Sequence, residues 1–463
     1  MVVPAQAVIE TLDQRRTAAT QPLDKKHRSE FGQFFTPVVV SRFMASLIDV
    51  EGEDFSFLDP GAGIGSLSAA LLERRDGKPT SVTAYELEPK FQRELALTLK
   101  AFPETAVEIR VRDFIEDAVS LVLIKGSPGF DAVILNPPYK KIRNNSPHRY
   151  LTRKLGVETS NLYTCFLAGA VRLCRPGAQV VAIIPRSWMN GLYFKPFRYW
   201  LLDHAALTHV HLFESRDKAF ADDDVLQENV IIRLIAGGEQ GDVAVSSSRD
   251  QMFSDVYTRM APFSEIVTPG DEEIFIHVPG MESDGELPGM PLRELGLDVC
   301  TGPVVDFRLR EHIRQDPEDG SVPLLYATHF AQGALTWPKD SKKPNAILRN
   351  DESERWLMPN GCYVVLRRFT SKEEKRRVVA YLLDEDALPG EMIGFENHLN
   401  VIHQGKRGLP PDVARGIAAY LNSQDVDDYF RTFSGHTQVN ATDLRRLNYP
   451  DLDTLARMGR VIG

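Results

Sequence analysis

The 463-residue sequence is poor in cysteine. It has four, Cys165, Cys174, Cys300 and Cys362, and no two form a CxxC pair. That spacing excludes a zinc ribbon and a disulfide-built fold. The expectation is four buried apolar thiols in a reducing, cytoplasmic setting, with no metal site. No apolar run reaches the ~18–20 residues of a membrane span. The N-terminus, MVVPAQAVIETLDQRR, lacks the basic start and apolar stretch of a signal peptide. No nuclease constellation is present. Also missing is an excess of positive charge, since 54 Lys and Arg face 64 Asp and Glu for a net charge of −10. The overall charge therefore does not suggest a nucleic-acid binder, although local patches are free to bind where the whole is not.

Two such patches exist. Lys140 to Lys154 holds six Lys or Arg, one His and no acid, and LRRFTSKEEKRR spans 366–377. A hydrophobic fraction of 43% and a charged fraction of 25% describe an ordinary folded protein, and the length calls for at least two domains. Strand-like runs at 55–59, 81–86, 107–113, 130–136, 179–185, 207–213 and 229–236 alternate with helical patterns such as SLSAALLERR (66–75) and NLYTCFLAGAVRLC (161–174). This rhythm predicts a doubly wound, mostly parallel α/β sheet of seven strands. After about residue 245 it is lost, and short strands mix with one clear helix in 412–423. The expected plan is a polar arm over 1–30, the sheet domain over 31–245 and an α+β domain over 246–463.

Ligands of open α/β sheets bind outside the carboxyl ends of the strands. In LDPGAGIGSL (58–67), Gly61, Gly63 and Gly65 sit between a strand and a helix, where the backbone can approach a ligand. Glu86 ends the second strand and suits two ribose hydroxyls. Asp113 and Phe114 end the third, suiting an exocyclic amino group and an adenine face. The spacing G-x-G-x-G, with Asp59 directly before the turn, disfavours a pyrophosphate and favours a ligand with a cationic amino-acid tail, as on S-adenosylmethionine.

The fourth strand ends in DAVILNPPY (131–139). An aromatic amine is a poor nucleophile because its lone pair is delocalised. Two acceptors aimed at its hydrogens, the side-chain carbonyl of Asn136 and the backbone carbonyl of Pro137, favour a more tetrahedral nitrogen. Pro137 and Pro138 hold that geometry rigidly, and Tyr139 can stack on the base. A base within a duplex must be flipped out to reach such a pocket. Among Trp188, Tyr193, Phe194 and Phe197, Phe194 is the candidate for the second stacking ring. Lys140, Lys141 and Arg143 leave the same tip and can reach phosphates.

These motifs resemble the gamma-class adenine-N6 DNA methyltransferases of restriction–modification systems, of the Taq and Pst type, over nearly the whole chain. FGQFFTP (31–37) is similar to the family's N-terminal motif, which implicates Thr36 and Pro37 at the methionine part of the cofactor. DPGAGIG (59–65) is similar to its cofactor loop, implicating Asp59 and Gly61, and NPPY to its catalytic tetrad, with Pro138 close to the cofactor. Ala62 and Ile64 stand where the family commonly has Cys and Ser, and Lys140 where it often has a small residue. GFENHLNVIHQ (394–404) and SGHTQVNATDLRRLNYP (434–450) resemble phrases of its target-recognition domain. The resemblance implies a sheet domain that binds S-adenosylmethionine and methylates adenine. It also implies a second domain that grips double-stranded DNA, with a separate restriction endonuclease as a companion. The tetrad alone also suits an RNA base or a protein glutamine, and a non-catalytic DNA-binding module would keep the fold. The large second domain argues against the former. The intact set of Asp59, Glu86, Asn136 and Tyr139 argues against the latter.

Overall fold

Continuous apolar runs become the middle of a sheet because both of their faces are covered. The computed structural model describes residues 5–20, 36–213, 229–249, 252–278, 287–331, 334–370, 376–433 and 438–462. Its first compact unit is Met1–Met281 and its second Glu282–Gly463. In the first, β1 (Phe55–Pro60), β2 (Thr80–Tyr85), β3 (Thr105–Arg110), β4 (Phe130–Leu135), β5 (Cys174–Pro185), β6 (Ala205–Phe213), β7 (Asn229–Ala236), β8 (Val243–Ser248) and β9 (Tyr257–Ala261) form one sheet. The strand order is β3-β2-β1-β4-β5-β7-β6-β8-β9. β1 to β5 pair in parallel. β7 runs against β5 and β6, and β9 against β8.

The helices are α1 (Ala5–Thr20), α2 (Val38–Ser46), α3 (Ser66–Arg75), α4 (Pro89–Leu99), α5 (Phe114–Ser120), α6 (Pro147–Lys154), α7 (Leu162–Leu173) and α8 (Lys195–His204), followed by a short turn at Phe263–Ile266. Along β4 the side chains alternate between two cores. Val133 and Leu135 pack with Phe114, Phe166 and Leu167, whereas Ala132 and Ile134 pack with Met44, Leu71 and Leu95. Each fully buried branched side chain of this kind contributes about 1.5–3 kcal/mol.

Three expectations are corrected. The sheet has nine strands rather than seven, and the first unit runs past residue 245 to Met281. β8, VAVSSS, ends in three serines. Its serines are nevertheless buried, because His209 and His211 of β6 hydrogen-bond Ser246 at 2.7 and 2.8 Å and His211 bonds Ser248 at 3.1 Å. The expected polar arm carries α1, whose Ile9 and Leu12 are buried with Val38, Ile64 and Phe91.

The second unit mixes short strands with helices. Strands 298–301, 399–403, 363–367 and 380–383 form an antiparallel sheet, and 313–314, 346–348, 321–325, 392–395 and 357–359 a second one. The helix expected at 412–423 spans Pro411–Leu421. Arg377, at the end of the second basic run, is buried, and its backbone N–H donates to Asp427. Residues 371–375 of that run lie outside the described residues.

Candidate active site

β1 must turn at once into α3. Gly61, Gly63 and Gly65 make the turn with φ of +83°, +57° and +86°, a region that favours glycine. The N–H groups of Gly61 and Ala62 donate to the Tyr85 carbonyl at 3.0 and 2.9 Å, which fixes the turn to the end of β2. At Gly65 a Cβ would stand 2.8 Å from Leu95 Cδ1.

Glu86 is buried beside this turn. Its carboxylate accepts from the N–H of Gly63 at 2.9 Å and of Glu88 at 2.8 Å. Burial pushes its carboxyl up to about 7, against the lowering effect of those bonds. Asp59 is fully buried and is not part of the cavity wall. Its Oδ2 accepts from the Ser68 hydroxyl at 2.6 Å, and Oδ1 has no hydrogen-bond partner among the described residues. Burial raises this carboxyl to about 7 as well.

The raised Asp59 carboxyl couples stability to pH. Between pH of about 4 and 7 the folded chain keeps a proton that the unfolded chain has lost. Asp59 therefore lowers stability progressively as pH rises through that window, and no further above it. Asp59→Asn should gain stability over wild type across the same window and reach a plateau above it, at about 2–4 kcal/mol. Urea unfolding at several pH values measures this, and a gain independent of pH would count against it.

Asp113 stands three residues past β3, not at the end of a strand over 107–113, and caps α5. Its Oδ1 accepts from the N–H groups of Ile115 and Glu116 at 2.9 and 3.0 Å, and its Oδ2 lies 2.8 Å from Nε2 of His148 on α6. Despite partial burial, the His148 bond and the two amides hold the Asp113 carboxyl below its usual range. His148 is raised, first by that bond, with Glu116 adding to the effect while burial and Lys140 oppose it. The stability from this pair is complete below the ordinary histidine pKa and is lost as pH climbs through the raised value. On the acid side it is lost as pH falls through the depressed Asp113 value. The melting-temperature gap between wild type and His148→Ala should thus be widest in mildly acidic buffer and close in alkaline buffer. For a partly exposed pair it corresponds to at most about 1 kcal/mol.

A cavity of about 300 Å³ joins these parts. Thr36, Gly61, Gly63, Glu86, Asp113, Phe114, Asn136, Pro138 and Lys140 line it, together with Leu162, Phe166 and His148. The Asn136 side chain donates from Nδ2 to Thr36 Oγ1 at 3.0 Å and accepts at Oδ1 from the Tyr139 hydroxyl at 2.9 Å. That hydroxyl also lies 3.0 Å from the carbonyl of Ile183 on β5. The tetrad is thereby tied to Thr36 of the FGQFFTP segment and to the neighbouring strand. Pro37 is the N-cap of α2, its carbonyl accepting from Ser41 N–H at 2.9 Å; residues 31–35 lie outside the described residues.

Phe194 is 7% exposed and does not line this cavity. Its ring is 5.8 Å from that of Tyr163, and Tyr163 stands edge-on to Tyr139 at 6.2 Å. Tyr163 thus contacts both rings expected to enclose a base. Pro137 is buried, and Lys140, Lys141 and Arg143 are exposed. The Lys141 ammonium lies 5.5 Å from the Tyr193 ring. Arg149 and Arg153 pair with Glu158, so the basic run is partly neutralised by an acid just beyond it.

Sequence reasoning missed His148, Tyr163, Leu162 and Phe166. Leu162 and Phe166 have i, i+4 spacing on α7, which puts both on one helix face. His148 carried no distinguishing signal within a basic run.

The family described as Eco57I restriction-modification methylase matches residues 80–220. The chain is 48% identical to the type II methyltransferase M.BsuBI of Bacillus subtilis, over 98% of this chain and 94% of that protein. It is 40% identical to the type II methyltransferase M.PstI of Providencia stuartii, over 96% and 92%. Among solved structures it resembles the cryo-electron-microscopy structure of a DrdV–DNA complex. The TM-score is 0.53 at 12% identity, over 99% of this chain and 59% of that one, a likeness of fold.

Proposed function

Because the chain belongs to the type II methyltransferases of restriction–modification systems, we propose that it transfers the methyl group of S-adenosylmethionine to the amino nitrogen of an adenine flipped out of double-stranded DNA. One observation carries this reading: the Asn136 amide lies in the wall of the same cavity as the glycine turn, Glu86 and Asp113. An amine-activating group and an adenosine-type site share one space.

The residues present fit the cofactor. Glu86 stands in the cavity wall, where burial pushes its carboxyl up to about 7, and Asp59, outside that wall, is raised in the same way. A nearby cation lowers such pKa values and restores the charge. Glu86 would take the ribose hydroxyls, Asp113 the adenine amino group and Phe114 the adenine face. Gly61 and Gly63 would approach along their backbone, and Thr36, Pro37 and Pro138 would stand at the methionine end. When bound, the cofactor supplies an electrophilic methyl on a sulfonium.

The chain does the rest by positioning. Asn136 Oδ1 and the Pro137 carbonyl accept the two amino hydrogens of the target and raise the electron density on its nitrogen. Tyr139 stacks on the base, and Phe194 covers the opposite face once Tyr163 gives way. Lys140, Lys141 and Arg143 hold phosphates beside the target. The second unit reads the sequence, a separate endonuclease cuts the same sequence when it is unmethylated, and both act in the cytoplasm.

The test uses labelled cofactor with mixed DNA, followed by digestion to nucleosides. Label should elute as N6-methyladenine. Label on cytosine, on RNA or on protein glutamine would refute the reading.

A further inference from the structure

Two stretches far apart in sequence meet in the second unit without entering the site above. The turn Glu396–His398 links strands 392–395 and 399–403, and Gln438 bridges to Phe369, just past strand 363–367. The backbone locks them together: Arg368 N–H donates to the His398 carbonyl at 2.9 Å, and Val439 N–H to the Arg368 carbonyl at 2.8 Å.

On this platform sits a fully buried carboxylate, Glu396. A buried carboxylate is costly unless hydrogen bonds replace its water, and here both of its oxygens engage one residue. His398 donates its backbone N–H at 2.9 Å, and its Nδ1 makes a short contact with the other oxygen. The carboxylate fixes the ring orientation and leaves Nε2 for an outside partner. The His398 side chain is 48% exposed. Beside it, at 5.1 Å, lies the ring of Phe369, itself an exposed aromatic. The Arg368 guanidinium stands 5.8 Å from that ring, 3.5 Å from Gln438 Oε1 and 3.3 Å from the Asn397 carbonyl.

We propose that Arg368, Phe369, His398 and Gln438 form a surface that reads base edges of duplex DNA. The inference rests on the DNA-methyltransferase reading above and names the residues that select the sequence. Arg forks onto guanine, Gln pairs with adenine, an oriented imidazole nitrogen meets a purine edge, and an exposed aromatic packs on a thymine methyl or wedges a base step. None of the four is acidic, in a chain whose net charge is −10. The platform orders these side chains before binding, which reduces the entropy lost on association.

The experiment takes the full chain and first establishes, by sequencing, the site that wild type methylates. Methylation of that duplex, and of duplexes changed one base pair at a time, is then compared for His398→Gln, Gln438→Ala, Phe369→Ala and Glu396→Gln. His398→Gln and Gln438→Ala should lower kcat/KM on the cognate duplex by roughly 10- to 100-fold, with discrimination lost at particular base pairs. Glu396→Gln should lose discrimination at the same base pair as His398→Gln, and Phe369→Ala at its own. Cofactor affinity of His398→Gln and Gln438→Ala, and the melting temperature of Gln438→Ala, should match wild type. Wild-type rates and discrimination in all four variants would overturn the proposal. So would an equal loss on every duplex, which is the behaviour of a phosphate contact or a scaffold. A wild-type chain that methylates no DNA would instead remove the underlying reading, a distinguishable result.

Discussion

Asn136→Ala is expected to slow methyl transfer by about 10²- to 10³-fold while leaving cofactor affinity close to that of wild type. The magnitude is that of removing one preorganised group aimed at charge that develops in the transition state. The separation follows from position. Asn136 stands at the end of β4, with its amide between Thr36 Oγ1 and the Tyr139 hydroxyl. The proposed adenosine contacts come from the turns that follow β1, β2 and β3. The rigid two-proline tip keeps the backbone in place when the side chain is removed, so the Pro137 carbonyl would still accept one hydrogen and a residual rate should survive. Single-turnover kinetics at saturating DNA and cofactor measure the loss, and calorimetry with S-adenosylhomocysteine measures the affinity. A variant that turns over normally would refute the activation mechanism. One that loses cofactor binding in proportion to rate would assign Asn136 a merely structural place.

Glu86→Ala should give the opposite pattern. Two charge-assisted hydrogen bonds to a diol contribute about 1.5 kcal/mol or more each, so cofactor affinity should weaken by about 10²-fold or more, with kcat restored at saturation. Glu86 also accepts from Gly63 and Glu88, so its loss loosens the turn. Glu86→Gln keeps one acceptor oxygen and should fall between wild type and Ala. If both Glu86 variants bound cofactor as wild type does, the carboxylate would have no part in holding the ribose.

The two predictions mark what could be read from residues alone. The strands were legible where both faces are buried, as in β4 and β7, because an uninterrupted apolar run has few other uses. The glycine turn was legible because three positive-φ positions between a strand and a helix require glycine. The NPPY tip was legible because prolines at a strand end cannot continue a ladder. Burial of polar groups was not. Asp59 was expected to face a ligand, yet it bonds Ser68 and stands outside the cavity wall. The serines of β8, past the last strand read at 229–236, are buried against His209 and His211. His148 looked like one more cation, and only the chain's path back to the end of β3 puts it on Asp113. The deciding contacts lie 9 to 37 residues away in sequence, to which composition and period are blind.

The central claim is that the Asn136 and Pro137 carbonyls make an adenine amine nucleophilic beside the cofactor. A crystal structure of the chain with duplex DNA and a cofactor analogue unable to transfer its methyl tests it most directly. The account predicts an extrahelical adenine against Tyr139, its amino nitrogen within about 3.2 Å of both carbonyl oxygens. An adenine still stacked in the duplex, or an Asn136 amide turned from the base, would contradict it.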